Sequence, residues 1–178
     1  DEVRHILLSR RIKVTEIVEL QDPGNKRFQC RIVASHKNSL TVEPLKEILV
    51  PKESGLRITI FQALIKEQSL DFIIQKATEL GVSNIILFNA RNSIDRFKDI
   101  NKKMTRWNKI GIEAAKQSGR VKSATIEYAE DMNKVIKEEN GFDCLFLLEP
   151  RAEKTFRVFF KKNKNLKNIA ILVGPEGG

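Results

Sequence analysis

The sequence predicts an α/β protein in which a parallel-sheet domain follows a small antiparallel β module. From residue 57 onward, short apolar runs alternate with segments of helical spacing, which is typical of a mostly parallel sheet with helices on both faces. Before residue 45, apolar and polar residues alternate between strong turns, a pattern that favours antiparallel strands. Pro44, Pro51 and Gly55 stand among charged residues between these two regions. We therefore expect domains over residues 1–50 and 51–178.

The antiparallel module is expected over residues 13–45. The turn Asp22-Pro23-Gly24-Asn25 precedes Phe28–Ala34, where every second residue is apolar. A second turn over residues 35–38 leads to another strand of the same kind. This pattern predicts a partial β-barrel. Because too few strands are visible to close a barrel, we also expect further residues before Asp1.

The elements of the second domain follow from the spacing of its apolar residues. Short apolar runs predict strands at Arg57–Ala63, Ile85–Phe88, Thr125–Tyr128, Cys144–Leu148 and Ile169–Val173. Helical spacing predicts helices around residues 70–80, 103–118, 131–139 and 153–162. For the first helix, Ser69 is a candidate N-cap and Gly81 is a stop signal.

Length and composition narrow the class of protein. The chain of 178 residues has 41% hydrophobic and 31% charged residues, which is an ordinary globular balance. No apolar run reaches the length of a membrane span and no secretory leader is visible, so we expect a cytoplasmic protein without a membrane partner. Cys30 and Cys144 lie far apart, and His5 and His36 are the only histidines. These counts argue against a metal site and favour reduced, structural thiols.

Positive charge is concentrated in one part of the chain. The net charge is +9, and residues 91–122 alone hold ten Lys and Arg side chains against three Asp and Glu. A basic stretch of this density suits a polyphosphate partner, with nucleic acid the first candidate. A solvated helical face explains the same charges equally well, and this alternative stays open.

The last residues combine an apolar strand with a Gly-Pro loop. Ile169–Val173 is apolar throughout, as expected for a strand buried on both faces of a parallel sheet. The loop Gly174-Pro175-Glu176-Gly177-Gly178 follows it at the carboxyl end, where open α/β sheets bind ligands. Its glycines allow close backbone approach to a small molecule. Taken alone, an ordinary turn fits these residues as well.

Polar residues mark two helices and two loops as further candidates. The predicted helix at 103–118 carries Lys109, Glu113 and Gln117 on one side, and a glycine sends Arg120 into the next loop, where it could grip a phosphate or a base. Lys76 and Glu79 are one turn apart on the earlier helix, which also fits a local ion pair. Lys66 and Arg91 each occupy a loop just after a predicted strand, a common place for reactive groups.

Four segments, in this order, resemble the motifs of the RsmE family, bacterial 16S rRNA uridine-N3 methyltransferases of the SPOUT class. They are Gln75–Val82, the helix from Trp107 through Glu113-Ala114-Ala115-Lys116-Gln117-Ser118-Gly119-Arg120, the loop Glu149-Pro150-Arg151-Ala152, and Val173–Gly178. The resemblance covers about two thirds of the chain. It implies an amino-terminal PUA-like β-barrel, a carboxyl-terminal α/β domain with a deep trefoil knot, and a homodimer whose active sites draw on both subunits.

The resemblance also implies roles for individual residues. Two loops would hold S-adenosylmethionine, and their residues are Leu148, Glu149, Pro150, Val173, Gly174, Pro175, Glu176, Gly177 and Gly178. On the RNA-facing side we expect Lys66, Lys76, Glu79, Lys109 and Gln117. Glu113 could accept the weakly acidic N3 proton of uridine, while Arg120 or Arg91 could stabilise negative charge on the uracil oxygens. These three residues are the catalytic candidates.

The leading hypothesis is therefore S-adenosylmethionine-dependent methylation of N3 of the uridine at conventional position 1498 of 16S rRNA, in the small ribosomal subunit. A SPOUT enzyme that methylates a ribose 2′-oxygen or another base is one alternative. A non-catalytic rRNA-binding module is another. Members of the family continue past the position of Gly178, so we expect a missing segment that supplies a third cofactor loop, threads the knot and adds dimer surface.

Overall fold

The computed structural model of the chain describes residues 13–36, 39–49, 53–90, 99–130, 141–149, 151–153 and 155–175. The chain divides into two compact units, Asp1–Lys52 and Glu53–Gly178. Each unit has its own sheet.

The first unit is a three-stranded antiparallel sheet. Its strands β1 (Ile17–Gln21), β2 (Arg27–His36) and β3 (Ser39–Ile48) pair in sequence order. The predicted turn between β1 and β2 is confirmed, because Asp22 accepts a hydrogen bond from the Lys26 N–H through its Oδ1 (2.8 Å). The antiparallel pattern is confirmed as well.

The second unit alternates strands and helices. Its elements are β4 (Arg57–Ala63), α1 (Glu67–Leu80), β5 (Asn84–Phe88), α2 (Ile100–Gln117), β6 (Thr125–Ala129), β7 (Cys144–Leu147), α3 (Phe156–Lys162) and β8 (Asn168–Val173). All five strands are parallel, in the order β6-β5-β4-β8-β7. The predicted strands are confirmed to within one residue at each end.

Separate hydrophobic clusters cover the two faces of the parallel sheet. On the first face, α1 and α2 pack around the fully buried Trp107 and onto Ile85 and Leu87. On the second face, Phe61 makes an edge-to-face contact with Phe142 at 5.9 Å between ring centroids. The central strands β5 and β8 therefore bury apolar residues on both faces, as their apolar runs predict.

The third helix packs on the edge strand β7. Phe146 contacts Phe159 of α3 with ring centroids 4.9 Å apart. Phe146 pairs in register with Ile171, and Ile171 pairs with Ile60 of the first face. All three described helices therefore lie on the first face. Helices on both faces stay a prediction, because the expected helix at Asp131–Glu139 is outside the described residues.

Helix ends depend on contacts that local sequence does not show. The prediction of Ser69 as N-cap is wrong, because α1 already begins at Glu67, an acidic residue that the positive end of a helix favours. Gly81 is confirmed as the stop: its φ of 93° is left-handed and its N–H donates to the carbonyls that end the helix. Asp99 starts α2 earlier than predicted by accepting a backbone N–H at 3.1 Å.

Three further observations concern only the residues that the structure describes. None of their helices is long and apolar enough to cross a membrane. They contain no group of three or more His, Cys, Asp or Glu side chains that could hold a metal ion. Cys30 and Cys144 are both free thiols.

Candidate functional site

The carboxyl ends of the five parallel strands form one edge of the sheet, which we call the carboxyl edge. The chain adds β5 and β6 on one side of β4 and then places β8 and β7 on the other, so strand order reverses between β4 and β8. Open α/β sheets bind their ligands outside the carboxyl ends of the strands at such a reversal. Gln62 pairs with Val173, and the loops after β4 and β8 therefore leave the sheet side by side.

Two of the predicted cofactor loops are neighbours at this edge. Leu147 pairs with Leu172, and the Leu148 N–H donates to the Leu172 carbonyl at 3.0 Å. This bond brings Leu148 and the following Glu149 alongside Val173 and Gly174. No described atom lies within 4 Å of the position that a Cβ on Gly174 would occupy. The loop backbone therefore has open space beside it, as close approach of a ligand requires.

Lys66 and Pro175 also belong to the carboxyl edge. Lys66 is exposed in the connection between β4 and α1, and Pro175 is half-buried directly after Gly174. The remaining candidates from the two cofactor loops and the loop after β5 lie outside the described residues: Arg91, Pro150, Glu176, Gly177 and Gly178.

A second group of candidate residues lies along a groove between α1 and α2. The groove has a volume of about 580 Å³, and Lys109, Glu113 and Gln117 are among its lining residues. All three are exposed. Lys76 and Glu79 form the predicted ion pair on α1, with Nζ and Oε2 2.8 Å apart. Because α1 and α2 pack side by side, these polar residues lie on two adjacent helices of the same face of the sheet.

Arg120 lies at the opposite, amino-terminal edge of the sheet. The Ser83 N–H donates to the Ile58 carbonyl near the start of β4, which fixes the end of α1 at that edge. The Arg120 guanidinium packs over Gly81 there and forms an ion pair with Glu53. Within one chain, the structure does not bring Arg120 together with the Gly174 loop.

Two basic residues of the stretch 91–122 form ion pairs that join α2 to α1. Lys103 and Arg106 both contact the Glu67 carboxylate, and Arg106 also pairs with Asp71. The hydrogen bond from Lys103 lowers the pKa of Glu67 below its ordinary value of 4.5, and the charges of Lys103 and Arg106 act in the same direction against desolvation. Sequence spacing does not reveal these pairs, because their partners lie on different helices.

The other lowered pKa also belongs to a structural contact. Asp143 accepts the backbone N–H groups of Asn168 (2.8 Å) and Lys167 (2.6 Å), which lowers the pKa of its carboxyl group. These bonds join the start of β7 to the start of β8, at the amino-terminal edge. Asp143 is therefore far from the carboxyl edge, whereas Glu67 adjoins it as the residue after Lys66 and is held by its ion pairs with α2.

The comparisons with known proteins agree with this architecture. Residues 52–178 match the family described as the RNA methyltransferase domain, which is the class that fold and site define. The ribosomal RNA small subunit methyltransferase E of Rickettsia conorii is 32% identical over 178 residues, with 99% of this chain and 70% of the relative covered. The protein of the same name from Buchnera aphidicola is 29% identical over 181 residues, with 100% and 70% covered.

A solved structure gives the same result. The crystal structure of a ribosomal RNA small subunit methyltransferase E from Neisseria gonorrhoeae, bound to S-adenosyl methionine, superposes with a TM-score of 0.79. Sequence identity is 28%, and the match covers 99% of this chain and 72% of that one. The chain belongs to the ribosomal RNA small subunit methyltransferase E family.

Proposed function

We propose that this protein methylates N3 of one specific uridine, at conventional position 1498, in 16S rRNA, with S-adenosylmethionine as the methyl donor. The observation that carries the proposal is the pair of neighbouring loops at the carboxyl edge, at the point where strand order reverses. Family membership supports rRNA as the substrate. The small ribosomal subunit in the cytoplasm is the partner and place that this substrate implies.

The described loop residues fit the proposed cofactor. In the loops formed by Leu148, Glu149, Val173, Gly174 and Pro175, backbone groups outside the sheet ladder offer hydrogen bonds to an adenine edge, with Pro175 limited to its carbonyl. The open space at Gly174 leaves room for a bent molecule. Leu148 adds an exposed apolar side chain. Pro150 and Glu176–Gly178 complete the proposed set. When bound, S-adenosylmethionine supplies an electrophilic methyl group, so the protein has only to orient the uridine and assist loss of its N3 proton.

Three residues are proposed to act on the uridine. Glu113 is an exposed carboxylate in the α1/α2 groove and accepts the N3 proton, directly or through water. Arg120 and Arg91 stabilise negative charge that develops on the uracil oxygens. Lys66, Lys76, Glu79, Lys109 and Gln117 contact the surrounding RNA.

We infer a homodimer from the separation of these groups. Glu113 and Arg120 lie on the α1/α2 side of one chain, away from its own Gly174 loop. A second copy that docks there would present its cofactor loops to them, so that each active site uses both subunits. We also propose that the first unit is part of a PUA-like barrel that binds RNA, and that the second unit belongs to a SPOUT-type knotted domain.

Primer extension tests the modified atom. An N3 methyl group blocks Watson–Crick pairing, so reverse transcriptase should stop beside position 1498 only after 16S rRNA, or the small subunit, is incubated with protein and S-adenosylmethionine. Methyl incorporation without a stop would instead identify a ribose 2′-oxygen or a non-pairing atom as the target. Calorimetry with S-adenosylmethionine separates both enzymes from a non-catalytic RNA-binding module, for which no binding heat is expected.

Glu113→Gln tests the proposed proton acceptor. Loss of a general base lowers the rate by roughly 10²–10⁴-fold, and we expect a decrease in this range with unchanged cofactor affinity. Glu127→Gln is the matched control, because Glu127 is exposed on β6, outside both groups of site residues. Equal loss in both variants, or parallel loss of cofactor binding, would remove Glu113 from the mechanism.

A further inference from the structure

The groove between α1 and α2 has features that the proposed methyl transfer does not use. Its volume of about 580 Å³ is within the range of roughly 300–1,000 Å³ that is usual for small-ligand sites. Phe72 lines the groove although 60% of its surface is exposed. This aromatic side chain does not contribute to the hydrophobic core, because the buried residues of α1 lie on another side of the helix.

The position of the Phe72 ring is set by its own helix. Lys76 lies one turn further along α1, with its Nζ 5.8 Å from the ring centroid. This distance allows a cation–π contact on one face of the ring. The contact places the Lys76 ammonium, which also pairs with Glu79, beside the ring.

Polar side chains line the same groove as the aromatic ring. Gln68, Gln75 and Gln117 line the groove, and each amide supplies both hydrogen-bond donors and an acceptor. Asp71 Oδ1 is buried and accepts no hydrogen bond from any described residue, whereas its Oδ2 pairs with Arg106. The Asp71 carboxylate is thus engaged with Arg106, and the three amides supply the donors and acceptors that the edge of a bound base requires.

We propose that this groove binds an unpaired nucleobase of the rRNA next to the target uridine, stacked on Phe72. Sequence-specific RNA recognition typically combines stacking on an aromatic ring with hydrogen bonds to the base edges, and the groove contains both kinds of group. Lys109 in the lining supplies positive charge for a flanking phosphate. The inference rests on the proposed function for its RNA partner, and it assigns a positioning site separate from the cofactor loops.

Fluorescence anisotropy with a short labelled single-stranded oligouridine tests the site in the intact chain. Base stacking on an aromatic side chain accounts for roughly a tenfold or greater change in affinity, so Phe72→Ala should weaken binding by about that factor. Phe72→Tyr keeps the ring and should bind like the wild type. Leu80→Ala is the matched control, since Leu80 is an 82% exposed apolar residue of α1 outside the groove lining, and it should leave binding unchanged.

An abasic oligonucleotide of the same length separates bases from phosphates. If the ring stacks on a base, Phe72→Ala should have no effect on the weaker binding of this abasic probe. Equal weakening for both probes, or equal binding by wild type and Phe72→Ala, would overturn the proposal. Sedimentation equilibrium supplies another overturning outcome, in which Phe72→Ala dissociates a dimer, so that the weaker RNA binding follows from the lost second copy and not from a missing stacking contact.

The outcome for the groove is independent of the outcome for methyl transfer. If wild-type protein modifies 16S rRNA but Phe72→Ala binds RNA normally, the groove proposal fails and the proposed function stands. If the wild-type protein does not methylate 16S rRNA but binds the base-containing probe, and Phe72→Ala alone among the variants loses that binding, the groove binds RNA and the proposed function fails.

Discussion

Gly81 links two motifs that are far apart in the sequence. Its φ of 93° ends α1, and a Cβ on this residue would lie only 2.5–2.7 Å from the Arg120 guanidinium atoms. The glycine of one motif thus leaves the space that the arginine of the other motif occupies. The arginine in turn pairs with Glu53, the first residue of the second unit. Sequence alone predicted the glycine as a helix stop but not this contact.

Gly81→Ala should destabilise the protein by about 1–3 kcal/mol, because a side chain is strained at this φ and also displaces the Arg120 guanidinium. The free energy of unfolding in urea measures the loss. Gly55→Ala is the control: its Cβ position has no atom of the described part of the chain within 4 Å, and its change should stay within about 0.5 kcal/mol. Equal effects of the two substitutions would contradict the role assigned to Gly81.

At the scale of elements, ion pairs join α1 to α2. Glu67 lies in the first turn of α1 and receives Lys103 and Arg106 from α2. Its side chain is 31% exposed, so solvent screens the pairs, and we expect Glu67→Gln to cost about 0.5–1 kcal/mol at neutral pH.

The pH dependence of this loss follows from the lowered pKa of Glu67 in the folded protein. Because the unfolded state binds the proton more readily, the ion pairs contribute their full stability above the ordinary value of 4.5. That contribution is lost as pH falls through the lowered, folded-state pKa. Urea unfolding should therefore show a gap between wild type and Glu67→Gln that closes in acid. A gap of constant size, or a similar gap for Glu127→Gln, would argue against this assignment.

Secondary structure in the parallel sheet was largely predictable because β5 and β8 are apolar from their second residue onward, and the other strands are short segments rich in apolar residues. Strand Arg57–Ala63 was predicted at its observed bounds, since both faces are buried. Helix starts were harder: Glu67 begins α1 and pairs with α2, and no pattern within α1 contains that information. The helix predicted over 153–162 begins only at Phe156, where the rings start to pack on Phe146 of β7.

The site was predictable only where it is local in sequence. The ion pair Lys76–Glu79 and the loops after β7 and β8 follow from spacing and strand ends. The groove does not, because Asp71, Phe72 and Arg106 meet through the packing of one helix on another. Phe72 had no distinguishing signal in the sequence, and only its 60% exposure in the structure identifies it as a surface residue.

At the scale of the whole molecule, the proposed site residues form two groups. Lys66, Leu148 and Gly174 lie at the carboxyl edge, whereas Glu113 lies between the helices and Arg120 reaches the amino-terminal edge. A single chain therefore offers the proposed cofactor loops and the proposed proton acceptor on different surfaces. If methyl transfer needs both the cofactor loops and the proton acceptor, each active site must combine two chains. Two kinds of mixed dimer test this requirement, because they should have opposite activities.

The first mixed dimer joins a Glu113→Gln chain to a Gly174→Val chain. No atom of the described residues lies within 4 Å of the valine Cβ position, so the substitution should leave folding intact and obstruct only an incoming cofactor. If each site uses the loops of one subunit and Glu113 of the other, this dimer retains one intact site. We expect about half of the wild-type rate from dimers purified by two different tags. Each parent homodimer should be inactive.

The reciprocal mixed dimer places both substitutions on one chain and none on its partner. If the sites are shared, one site combines the substituted Gly174 loop with the partner's intact Glu113, and the other combines an intact loop with the substituted acceptor. Both sites are then damaged, so this dimer should be inactive. Sites contained within one subunit reverse the two results, because the unsubstituted chain would keep its own complete site and the first dimer would have none. Methyl incorporation into 16S rRNA, measured for both dimers side by side, therefore decides between the two arrangements. Half activity in the reciprocal dimer with none in the first would assign Glu113 to the cofactor loops of its own chain.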